Sequence, residues 1–360
     1  MSDIVRVGVD LAKNVLHVHA VDAAGKVIAT RALPRGKFAE WCSQLPANCL
    51  VAMEACSGAH FWSRKLIAMG LDARIIPSQL VTPYRVQGRG GKNDANDAAA
   101  ICEAASRPHM HFVPTKTVAQ QGMLCVHRLR ESLKEERTAC INQIRGLLSE
   151  FGVVLPQSAK VLRERLIEVI EDATNEIASM ARLVVQRAAD RWRELDEHIT
   201  WCDQRIAAHN KDDQQVRRAA QVKGIGPITA SALVATVGDF KQFRNAAQFG
   251  AWLGLTPKQN SSGGKTCLGG ITKRGDMYLR SLLIQGARSA VLSADKRDDP
   301  ISRWVQRLCD RSGWQKAAVA LANKNARILW AMLTREQRFN CHHVSVKPSG
   351  QQCAPDGLAS

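Results

Sequence analysis

The chain has 360 residues, 45% of them apolar, which allows two or three domains with sizeable cores and excludes both a disordered chain and a disulfide-stapled mini-protein. Lysine and arginine number 50 against 33 acidic residues, for a formal charge of +17 and a pI near 9.7, the balance of a protein that meets a polyanion, nucleic acid first among them. No apolar run reaches the roughly eighteen residues of a membrane span, and the start, MSDIVRVGVDLAK, lacks the apolar core of a signal peptide, so a cytoplasmic protein without a membrane partner is expected.

The first hundred residues open with three β-like runs, IVRVGVDLA, VLHVHAVD and VIATRAL, joined by short turns that suggest an antiparallel meander. A helical stretch at about Lys37 to Leu45 follows, then the buried-strand run CLVAMEA. Next come a helix from about Ala59 to Met69, the strand DARIIP, a loop rich in Gly and Arg, and a helix opening at Asp94. This order, βββαβαβα, is that of an RNase H-like α/β domain with helices flanking a mixed sheet.

That order gives a distant partner to each acidic residue near the helix start. In GGKNDANDAAAI, Asp94 reads alone as an N-cap, and Asp97 as a favourable first-turn charge. Asp10, however, ends the first strand and Glu54 the fourth, and in such a sheet these two strands are neighbours. All four carboxylates then converge. Oxygen-only ligands with open water positions suit Mg²⁺ or Mn²⁺, and a pair of such ions about 4 Å apart supports phosphodiester displacement.

The stretches VGVDLAK, AMEACSGAHFW and GRGGKNDANDAAAI resemble the DEDD motif regions of the IS-one-ten family of insertion-sequence transposases, with Asp10, Glu54, Asp94 and Asp97 all matching. The resemblance implies a RuvC-like catalytic domain over residues 1–106 whose four acids ligate metal, with Asp94 and Asp97 also capping the helix. It extends over about residues 4–335.

From about Thr117 the pattern is helical, and after Pro156 a further long run places Ala181, Val185, Ala188, Trp192, Leu195, Ile199, Cys202 and Ile206 in alternating steps of four and three. This is a heptad seam, and it assigns residues 107–212 to a helical coiled-coil region. The seam closes either within one chain as a hairpin or between chains. The resemblance implies dimers assembling into a tetramer around nucleic acid.

QVKGIGPITASALVATVGD reads as helix, tight turn, helix, similar to a helix-hairpin-helix; Lys223 and the amides around Gly224 and Gly226 would meet phosphate there. The next stretch, GLTPKQNSSGGKTCLGGITKRGDMYLR, is no Walker loop despite its GGKT, because Gln259 stands where the loop's first glycine belongs. It leaves a Ser/Gly loop among Lys258, Lys265, Lys273, Arg274 and Arg280, before a helix expected to turn its arginines outward.

This stretch resembles the second signature of the same family, a serine-glycine step followed by G-x-I-x-K-x-G-x-x-x-L-R, with Asp276 where the family more often has Asn. The resemblance implies that residues 213–338 form the carboxy-terminal transposase domain, that Ser262 attacks a DNA phosphate with Ser261 as the adjacent alternative, and that a structured bridge RNA guides the reaction. The eleven cysteines include no C-x-x-C spacing and read as reduced core residues. Cys341, His342 and His343 lack further ligands in a polar tail, 339–360, expected to be disordered. Two alternatives accompany the transposase reading: a junction-resolving nuclease that uses water, and a basic nucleic-acid-binding protein whose acids only cap helices.

Overall fold

The structure, a computed structural model, describes residues 3–85, 93–261, 265 and 267–340. It contains two compact units, Met1–Cys125 with Ala235–Gln242, and Val126–Val234 with Phe243–Ser360.

The first unit is built on a five-stranded mixed sheet. Strands β1 (Arg6–Leu11), β2 (Val15–Val21) and β3 (Val27–Pro34) form the antiparallel meander, followed by α1 (Arg35–Cys42), β4 (Leu50–Glu54), α2 (Ala59–Ala68) and β5 (Asp72–Ile76). The strand order is β3-β2-β1-β4-β5, with β4 and β5 parallel to β1. After β5 the chain makes a short helix α3 (Ser78–Val81) and a 3₁₀ turn (Thr82–Tyr84), then enters α4 (Asp94–Ala105).

The two-residue period of the strands divides the sheet into two faces. Val7 and Val9 of β1 and Val51 and Met53 of β4 enter a core with Phe38, Trp41, Trp62 and Leu66 from the α1 and α2 side. Ala52 and Ile76 pack instead with Ala100, Ile101 and Ala104 of α4. Gly8 lies on this second face for a steric reason: a Cβ there would stand 2.2 Å from the Ala98 carbonyl oxygen and 2.4 Å from the Cys102 nitrogen. Helix α4 therefore lies directly on β1.

The second unit is helical. Helices α5 (Val118–Ser149), α6 (Ala159–Glu171) and α7 (Ser179–Asp212) share one core, in which Ile144 and Leu148 of α5 and Leu162 and Leu166 of α6 meet Val185, Trp192, Leu195, Ile199 and Cys202 of α7. The ion pairs Arg130–Asp203 (2.6 Å) and Arg137–Asp196 (3.1 Å) run in opposite sequence directions, so α5 and α7 are antiparallel. Most of the apolar seam of α7 is thus packed against α5 and α6 of the same chain. Helix α6 had no counterpart in the sequence reading.

The remainder comprises α8 (Gln214–Ala219), α9 (Pro227–Val237), α10 (Ala246–Trp252), the two-stranded β6 (Pro257–Gln259) and β7 (Leu268–Ile271), α11 (Met277–Leu292), α12 (Pro300–Ser312) and α13 (Trp314–Thr334). Helix α13 carries buried Ala317, Ala318, Leu321, Ala322, Ala326 and Leu329 and packs on α8, α10, α11 and α12. Among the described residues no helix is long and apolar enough to cross a membrane.

Candidate active site

The sheet register brings the acids together. Val9 of β1 pairs with Met53 of β4 in parallel, so the next residues, Asp10 and Glu54, stand side by side where the β1–β4 pairing ends. By the alternation described above, Asp10 shares a face with Gly8, and Glu54 with Ala52, which is the face that α4 covers. Asp97, immediately before the Ala98 that Gly8 approaches, is 7% exposed, and Asp94 sits about one turn further out. The carboxyl of Asp10 is raised above its ordinary range by burial first, then by the negative charges of Asp94, Asp97 and Glu54. The four predicted acids therefore form one electrostatic cluster.

The helix start differs from the expectation in one respect. Asn93, not Asp94, is the N-cap: its side-chain oxygen accepts from Ala95 N at 3.0 Å, and its extended backbone (φ −139°) is that of a capping residue. Asp94 is the first helical residue, and its carboxylate is released from capping to face the sheet. The amide of Asn93 performs the same capping without adding a charge.

Two side chains that sequence reasoning missed complete the cluster. Antiparallel pairing of β1 and β2 sets His17 opposite Asp10, and its Nδ1 lies 3.5 Å from an Asp94 oxygen, buried and, among the described residues, without a hydrogen-bond partner. Ligand atoms of Asp10, His17 and Asp94 all fall within 4.8 Å of one another. Arg85, where the 3₁₀ turn ends, spans the other two acids, with Nη2 2.8 Å from Glu54 and Nε 2.9 Å from Asp97. The hairpin register could have placed His17, had the turn at Ala12–Asn14 been resolved from sequence; Arg85 left no local signal. A three-point donor set of two carboxylates and an imidazole, one nitrogen of it unpartnered, fits a divalent cation.

The carboxy-terminal signature is described apart from Ser262, Gly263, Gly264 and Thr266, so the predicted nucleophile lies outside the described residues. The framework around that loop is tightly made. Gly254 (φ 71°) passes so close to Arg274 that a Cβ would stand 2.0 Å from its carbonyl oxygen, and Gly275 (φ 101°) approaches the Trp252 oxygen in the same way. Between these crossings Lys273 adopts a left-handed backbone (φ 56°). Lys258, Lys265, Lys273 and Arg274 are all exposed.

Arg280 corrects the expectation of outward arginines. It is 9% exposed, and its Nη1 donates to the Leu253 and Gly275 carbonyl oxygens, tying α11 to the glycine crossings. Lys223 is likewise engaged: its ammonium pairs with Asp299 and donates to Ser302, while its carbonyl accepts from Asn325. Burial opposes ionisation of Asp299, yet hydrogen bonds from Lys223 and Ser302 hold its carboxyl well below the usual range. Gly224 (φ 82°) is required by packing, since a Cβ would meet the Gly286 carbonyl oxygen of α11 at 2.8 Å, whereas Gly226 faces open space.

Comparison with known proteins gives these arrangements a family. Residues 216–301 match the model described as "Transposase IS116/IS110/IS902 family", and residues 7–153 match a DEDD transposase model of the IS110 type. A probable family 20 transposase of Pseudomonas aeruginosa is 46% identical over 333 residues, covering 92% of this chain and 97% of its own length. The chain belongs to the IS110/IS116/IS902 transposase family. The transposase for insertion sequence element IS1111A of Coxiella burnetii is 40% identical, with 95% of this chain and 93% of its own length covered. That for element IS1328 of Yersinia enterocolitica is 37% identical, with 94% and 100% covered. This transposase is accordingly an enzyme that cleaves and transfers DNA in insertion-sequence transposition, and the DEDD character of its amino-terminal domain points to use of a divalent metal.

Proposed function

We propose that this transposase performs strand cleavage and exchange with Ser262 as nucleophile and with Asp10, Glu54, Asp94 and Asp97 as ligands of Mg²⁺ or Mn²⁺. The observation that carries the reading is the convergence of acids from β1, β4 and α4 on one sheet face, where burial first and then the neighbouring carboxylates raise the carboxyl of Asp10. The 3-2-1-4-5 strand order, mixed in direction, supports an RNase H-like, RuvC-like domain over residues 1–106. A helical coiled-coil region (107–212) and a carboxy-terminal domain with the nucleophile (213–338) follow in this reading; its tail, 339–360, falls outside the described residues from 341 onward.

Asp10, Glu54, Asp94 and Asp97 would hold the metal, which would supply polarisation of the phosphate. The protein's own groups divide the remaining work. Ser262 forms an Oγ–phosphorus bond as one bond from phosphorus to a deoxyribose oxygen breaks, and the released sugar oxygen takes up a proton. The free hydroxyl of the exchanged strand then attacks the phosphoserine, re-forms DNA and frees the serine. Exposed Lys265, Lys273 and Arg274 offset phosphate charge, and the amides near Gly226 are the better candidates for phosphate contact in the α8–α9 turn, because Lys223 and Arg280 are already engaged. Guidance by a bridge RNA, and assembly of dimers into a tetramer, complete the proposal and rest on the family resemblance.

Denaturing electrophoresis with labelled element-end DNA tests it. A covalent protein–DNA band is expected from wild type and from Ser261→Ala, and none from Ser262→Ala. Recombination by Ser262→Ala would assign the attack to water or to Ser261, and the junction-nuclease reading would replace this one.

A further inference from the structure

The acid cluster is divided into two unequal halves. On one side Asp10 and Asp94 face His17, whose Nδ1 has no hydrogen-bond partner among the described residues. On the other, Glu54 and Asp97 are both held by the single guanidinium of Arg85, at 2.8 and 2.9 Å. The Nη2 contact to Glu54 is a charge-assisted hydrogen bond, among the stronger ones in proteins, whereas Nε meets Asp97 as a close ion pair without hydrogen-bond geometry.

Arg85 is fixed at its backbone and partly exposed along its side chain. Its neighbour Tyr84 packs with Val81, Ile76 and Ile101, and the Arg107 guanidinium lies 5.5 Å from the Tyr84 ring centroid. Arg85 N also donates to the Thr82 carbonyl at 3.3 Å, which closes the 3₁₀ turn. The side chain itself keeps 35% of its surface exposed and so has a path to solvent. The backbone is thereby fixed where the guanidinium reaches both acids, while the guanidinium remains free to leave.

We propose that Arg85 is a resident counter-cation of this site, holding Glu54 and Asp97 in the metal-free protein and competing with the divalent ion for them. The inference rests on the metal reading given above. A divalent ion would meet Asp10, His17 and Asp94 where, among the described residues, no lysine or arginine is paired with them, whereas Glu54 and Asp97 would become ligands only as Arg85 releases them. The arginine thus stabilises the four acids before metal arrives and sets the threshold for full metal occupancy.

Calorimetric titration of the full-length protein with Mn²⁺, together with thermal unfolding in EDTA, separates the possibilities without any activity assay. Arg85→Ala and Arg85→Gln are expected to bind Mn²⁺ about tenfold more tightly than wild type and to melt lower in EDTA, with the deficit shrinking as Mn²⁺ is added. Arg85→Lys keeps the charge and should fall between. Arg74→Ala, which removes an arginine engaged with Asp72, controls for loss of net charge and should leave affinity within about twofold. Equal or weaker binding by both neutral variants overturns the inference and makes Arg85 a residue that positions the acids for metal. If neither wild type nor these variants take up Mn²⁺, the metal reading itself fails, and the competition with it.

Discussion

At the sheet edge, Asp10, Glu54, Asp94 and Asp97 gather, among the described residues, near Arg85 and His17, whereas in the α5–α6–α7 core each acid has its own arginines: Asp203 has Arg130, Glu136 has Arg191, and Asp196 has Arg137 and Arg163. In the first, burial and then the like charges raise the carboxyl of Asp10, so its charge is held at a cost that a bound cation would relieve. The second leaves its charges matched over an apolar seam. Concentrated like charge on a rigid sheet marks chemistry, and alternating charge over a buried seam marks scaffold.

If that contrast holds, damage to the scaffold should appear as lost stability and leave the chemistry's ligands untouched. Leu195 is 6% exposed in the α5–α6–α7 core, and Leu195→Asp would place an unpaired charge there at about 3–5 kcal/mol. Thermal unfolding should show the loss as a large fall in midpoint, with no change in the subunit number of molecules that remain folded. A dissociated oligomer with an unaltered midpoint would mean that the seam joins subunits after all.

A smaller effect sharpens the comparison through pH. His127, 1% exposed, bonds Ser231 at 3.0 Å and Tyr278 at 3.1 Å; burial, then Arg130 and His209, push its pKa down to about 4 from 6.5. Between those values the unfolded chain binds the proton and the folded chain does not. The stability that neutral His127 contributes is therefore present above about pH 6.5 and lost as pH falls toward 4, up to about 3 kcal/mol. His127→Gln keeps hydrogen-bonding groups and removes the titration, so its unfolding midpoint should fall less steeply across that window. Parallel pH profiles for the two proteins would refute the assignment.

Much of the sheet was legible because alternation and turn residues are local signals: the runs around Val7, Val18, Val51 and Ile75 each became strands, and the parallel pairing of β1 with β4 brought Asp10 to Glu54 as the strand order required. What sequence could not supply were contacts set by register and by packing. His17 depends on which residues face each other across β1 and β2, and Arg85 on a turn after β5 that has no periodicity. Arg280 looked like a surface arginine because charge predicts exposure; carbonyl oxygens left by the glycine crossings at Gly275 and Leu253 give it an interior role instead. The cap at Asn93 was mistaken for Asp94 because both residue types cap well and they are adjacent.

The central claim is that the converging acids hold the metal for phosphodiester chemistry, and cleavage of element-end DNA by wild type and Asp10→Asn in Mg²⁺, Mn²⁺ and EDTA tests it most directly. The account predicts cleavage by wild type with either ion and none in EDTA, and loss of at least about a thousandfold in Asp10→Asn with DNA binding retained in a gel-shift assay. Undiminished cleavage by Asp10→Asn, or by wild type in EDTA, would contradict it.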